Sequence, residues 1–109
     1  MTILAVTDAT FDAEVIQAPM PVLIVFTAEW AGPCRVFAPT LEEIDAKIGN
    51  QVRVASFDID TNSAVPIRVD LKGVPGLMLF QDGERLGSMV GALEVDEVIE
   101  WLEKSGVLA

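Results

Sequence analysis

Val22-Leu23-Ile24-Val25-Phe26-Thr27-Ala28-Glu29-Trp30-Ala31-Gly32-Pro33-Cys34 sets the fold. The run from Val22 to Thr27 is apolar at nearly every position, which suits a strand covered on both faces by helices. After it, Phe37, Leu41, Ile44 and Ile48 recur at helical spacing, so a helix is expected from about Pro33 to Ile48. Pro33 suits the first turn, where a missing N–H removes no bond. Pro39 falls inside the pattern, and a kink is expected there. A tight turn from a buried strand into a helix is a place for chemistry. The first helical N–H groups are unsatisfied and carry positive partial charge, which favours a thiolate placed beside them.

On either side the chain alternates. Ile3 to Val6 reads as a strand, and Thr7, Asp8 and Thr10 offer caps for a helix carrying Phe11, Val15 and Ile16, stopped by Pro19 and Pro21. Val52 to Ile59 is the next strand, Asp60 to Ser63 a loop, and a short helix ends near Val69-Asp70. Leu71 to Gly76 is a loop. Leu77 to Gln81 and Glu84 to Val90 are strands joined by an Asp82-Gly83 hairpin turn, and Gly91 breaks the second. Val95 to Lys104 forms the last helix, with Val95, Val98, Ile99 and Leu102 inward and Gly106 beyond its end. Crossover units followed by a hairpin predict an α/β fold: a central mixed five-stranded sheet flanked by four helices, one domain over 1–109.

Composition excludes several classes. The 109 residues are 51% hydrophobic, with mean hydropathy +0.46 and net charge −10. Without a basic cluster, nucleic acid is excluded as a partner, and an anionic membrane surface would repel the chain. No apolar run approaches a membrane span, and the first residues lack the basic and apolar regions of a signal peptide. With one cysteine and no histidine, no internal disulfide can form and the commonest general base is missing. A cytoplasmic monomer without cofactor or metal is expected. Glu42, Glu43, Asp58 and Asp60 read as surface charges, and Met78 and Met89 as packing.

The order of elements resembles the thioredoxin fold. Ala28-Glu29-Trp30, Gly32-Pro33-Cys34, Ala38-Pro39, Asp58-Ile59-Asp60, Gly73-Val74-Pro75, Asp82-Gly83 and Val90-Gly91-Ala92-Leu93 all fall at that family's spacing. The resemblance implies protein-disulfide reduction, with thioredoxin reductase among the partners. It also implies a cis bond before Pro75 and a groove of Trp30, Gly32, Pro33, Val74, Pro75 and Gly91. There the Val74 backbone pairs with an extended protein segment as an added strand.

The family's active site reads Trp-Cys-Gly-Pro-Cys, and this chain departs from it. Ala31 occupies the exposed nucleophile position, leaving Cys34 at the resolving position. Val25 stands in place of the buried aspartate that helps move protons there, and Ser56 in place of its lysine partner. Gly76 replaces a common threonine, and Thr27 a frequent tryptophan, the latter read as packing. Disulfide reduction needs an attacking thiolate and a second thiol to resolve the mixed disulfide. Alanine supplies no sulfur, so the chain is expected to be redox-inactive or strongly impaired. A non-catalytic binding module and a slow monothiol acting through Cys34 are the alternatives. The last is countered by the free-cysteine norm of a small buried hydrophobe. Ala31 can arise by deliberate replacement of the nucleophile or by natural divergence, and the joint departure of positions 25 and 56 from the family pattern favours divergence.

Overall fold

The computed structural model describes residues 3–109. Its sheet comprises β1 (Leu4–Val6), β2 (Val22–Thr27), β3 (Arg53–Asp58), β4 (Gly76–Gln81) and β5 (Glu84–Val90). The spatial order is β1-β3-β2-β4-β5, with β1, β3 and β2 parallel and the β4–β5 hairpin antiparallel. Three α-helices accompany it, α1 (Gly32–Ile48), α2 (Ala64–Arg68) and α3 (Val95–Lys104), together with a π-helical turn at Asp12–Ile16. This is the mixed α/β sheet with four helical segments that the sequence predicts.

The central position of β2 explains its composition. Val22, Ile24 and Phe26 face a core holding Phe11, Val15, Phe57 and Val65. Leu23 and Val25 face the other, with Phe37, Leu41 and Ile44 of α1 and Val98 and Leu102 of α3. Burying each large side chain contributes about 1.5–3 kcal/mol, so both layers are needed to hold β2 in place. At the hairpin, Asp82 and Gly83 have φ of 53° and 82°, the left-handed pair that a two-residue turn requires.

Several boundaries differ from the sequence reading. The segment before Pro19 forms one π-helical turn, headed by Phe11 without a side-chain cap. Its entry is closed by the Thr7 carbonyl, which accepts from the Thr10 and Phe11 N–H groups. Asp8 caps a different helix: its carboxylate accepts from the Ala64 and Val65 N–H groups, while the Asn62 side chain accepts from the Asp8 N–H. Ile3 falls outside β1. Val52 lies outside β3 because its N–H still closes the end of α1 on the Ile48 carbonyl.

Gly76, expected in a loop, is the first residue of β4 and pairs with Phe26 and Val90. A β-carbon there would lie 2.7 Å from the Gly73 carbonyl oxygen and 2.5 Å from a Leu71 methyl. Backbone, not only side chain, fills that space, so the departure from threonine is a steric requirement of this loop.

Candidate functional site

The C-terminal ends of β2 and β3, with the start of α1, carry the residues singled out from the sequence. β2 ends at Thr27; the Ala31 N–H then closes a turn on the Ala28 carbonyl at 3.0 Å. Ala31 is the N-cap of α1, with φ −84° and ψ 120°, and offers no side-chain acceptor to the helix. Gly32 and Pro33 begin the helix, and the Cys34 N–H bonds the Ala31 carbonyl at 3.1 Å.

Cys34 is 6% exposed and packs with Ala28 and Ala31 in a small apolar cluster, against which Val74 and Ile59 lie. Its Sγ accepts the Ala28 N–H at 3.5 Å. Position 31 is more covered than the sequence suggests: Ala31 is only 7% exposed, within the cluster against which Val74 and Ile59 pack.

The Val74–Pro75 peptide bond is cis. The Gly91 N–H donates to the Pro75 carbonyl at 2.9 Å, bringing those two loops together. Gly91 has φ of 116°, a conformation side chains rarely adopt, and a β-carbon there would meet nothing within 4 Å. Among the described residues, Val74 makes no backbone hydrogen bond. Trp30 stands 68% exposed, yet it is tethered: its Nε1–H donates to Asp60 at 2.7 Å, and the other Asp60 oxygen accepts the Glu29 N–H at 3.3 Å. Asp60 is therefore a positioning group, and no short-range pattern marks it, since its partner is thirty residues away.

Val25 is fully buried on the α1 side of the sheet and pairs in register with Ser56 on β3. Ser56, Thr27 and Cys34 line one cleft of about 520 Å³ between β3 and α1. Thus Thr27, taken from sequence as packing, belongs to the wall of a cleft beside the thiol. Among the described residues, no group of three or more cysteine or carboxylate side chains could hold a metal ion. Among the described residues, no helix is long and apolar enough to cross a membrane.

The burial of Cys34 has a kinetic consequence. A thiol reagent should modify it at least about tenfold more slowly in the native chain than in urea, since attack needs a local opening. Equal rates, read by absorbance of a released chromophore, would show the thiol to be freely accessible.

Comparison with known proteins places these features in context. The family model "Thioredoxin" matches residues 2–104. Thioredoxin of Rhodospirillum rubrum is 42% identical over 100 residues, covering 92% of this chain and 96% of that protein. Thioredoxin 1 of Synechococcus elongatus is 41% identical, covering 92% and 94%. Thioredoxin of Acidithiobacillus ferridurans is 41% identical over 101 residues, covering 93% and 94%.

Proposed function

The chain belongs to the thioredoxin family, and from that premise we propose that it holds extended segments of protein partners in the groove beside Pro75 without turning over disulfides. The family's reaction is dithiol–disulfide exchange with protein substrates. A thiolate attacks a substrate sulfur, the other substrate sulfur leaves as thiolate, and a second thiol then displaces the mixed disulfide. One observation carries the reading. The helix-capping position that would present the attacking sulfur is Ala31, and Cys34, the only thiol of the chain, is buried behind it.

What is left is a binding surface. Trp30 is held outward by Asp60, Val74 has unengaged backbone groups, and Gly91 leaves the far wall free of side chain. An extended segment could pair with Val74 as an added strand, its side chains lying on Trp30 and Pro33. The reading is of a single-domain cytoplasmic protein, where a lone thiol remains reduced.

Two measurements test it. Insulin reduction, driven by dithiothreitol or by a thioredoxin reductase, should not exceed the uncatalysed rate. Carboxymethylated insulin B chain, an extended peptide without free thiols, should shift the amide resonances of Trp30, Val74 and Gly91. Turnover above background would refute the loss of chemistry, and unchanged resonances would refute the groove.

A further inference from the structure

Positions 27 and 56 lie on neighbouring strands, and the structure sets both on the wall of the same cleft. Their short side chains leave that space open. At about 520 Å³ it falls in the about 300–1,000 Å³ range of small-ligand sites, far above an ordinary packing void. Ile3, Phe37 and Leu41 supply an apolar floor. Glu29, Glu42 and Asp58 stand around it, with Arg35 as the sole cation of the lining. One Arg35 nitrogen is engaged with the Glu29 carbonyl at 2.8 Å. The cleft therefore combines apolar depth with an excess of negative charge, in a chain whose net charge is −10.

We propose that this cleft is a side-chain pocket for a lysine of a protein partner. Four methylenes match the floor, and the terminal ammonium reaches the carboxylates while staying partly in water, the way such chains lie along apolar surface. Acidic side chains are repelled by the same rim, and a purely apolar chain gains nothing from it. The pocket goes beyond the groove described above, because it holds a side chain whether or not Val74 pairs with a backbone.

The test is an amide-resonance titration with Nα-acetyl-lysine N-methylamide, against the norleucine and glutamate counterparts. The lysine probe should shift Thr27, Cys34 and Ser56 saturably. The norleucine probe should bind about two- to fivefold more weakly, the range a partly exposed ion pair allows, and the glutamate probe not at all. Glu42→Gln, at an exposed position of α1 on the cleft lining, and Asp58→Asn should each erode that preference. Ser56→Lys should abolish binding by filling the pocket with the chain's own ammonium. Glu42→Gln leaves the core untouched, so the comparison survives if Ser56→Lys fails to fold. Equal binding of the lysine and norleucine probes, shifts scattered over the acidic surface, or no saturable shift would each overturn the proposal. Failure of the groove would appear separately, as unchanged Val74 and Gly91 resonances with the B-chain peptide.

Discussion

Ala31→Cys should give the chain an internal disulfide with Cys34 and a measurable insulin-reducing activity. The two positions already share a turn, since the Cys34 N–H bonds the Ala31 carbonyl and both side chains sit in one apolar cluster. Disulfides demand closely set β-carbons, and the closed turn keeps positions 31 and 34 close together. The new thiol would cap α1, where unsatisfied N–H groups favour its thiolate. Activity should remain about a hundredfold or more below that of an ordinary thioredoxin, the scale of a missing general base, because nothing at Val25 takes the Cys34 proton. Cover by Val74 would slow attack on bulky substrates further. Thiol counting after mild oxidation reads the disulfide, and insulin turbidity reads the activity. A variant that keeps two free thiols under oxidising conditions would show that the turn lacks disulfide geometry.

Val25→Asp should destabilise the fold by about 3–5 kcal/mol at neutral pH, the scale of an uncompensated buried charge. Val25 has no exposure and lies among leucine, isoleucine and phenylalanine side chains of the α1 layer. The sign of the pH dependence follows. Burial would keep the new carboxyl protonated to higher pH in the folded chain than in the unfolded one. The penalty is therefore absent at low pH and grows as pH rises from about 4 towards the folded-state value. Adding Ser56→Lys should recover part of the loss, because Ser56 is the in-register neighbour of Val25 and borders the open cleft. Urea denaturation of the two single variants and the double variant should give a coupling of about 0.5–3 kcal/mol. Strict additivity would show that the two side chains do not meet. Placed on Ala31→Cys, the pair should raise the rate of mixed-disulfide resolution.

The course of β2 and α1 was legible because burial dictates their periodicity: β2 is hidden on both faces and α1 on one. The hairpin was legible because left-handed backbone restricts what Asp82-Gly83 can be replaced by. The misread features depend on contacts remote in sequence. Asp8 looks like a cap for the next segment, yet it serves a helix 56 residues on. Asp60 is the surface charge the sequence predicts, but its bond to Trp30 shows only once the fold brings the two together. Thr27 and Ser56 stand out in the sequence only as separate departures from the family pattern, and only strand pairing makes them walls of one cleft. Gly76 resembles loop glycine in sequence, and only the fold shows the Gly73 carbonyl where its side chain would be.

That last contact also orders the steps by which such a sequence can change. With a carbonyl oxygen 2.7 Å from where a β-carbon would sit, any residue larger than glycine at position 76 must wait for the Leu71–Gly73 segment to be reshaped. A threonine at this site therefore becomes accessible only through coordinated change in the preceding loop.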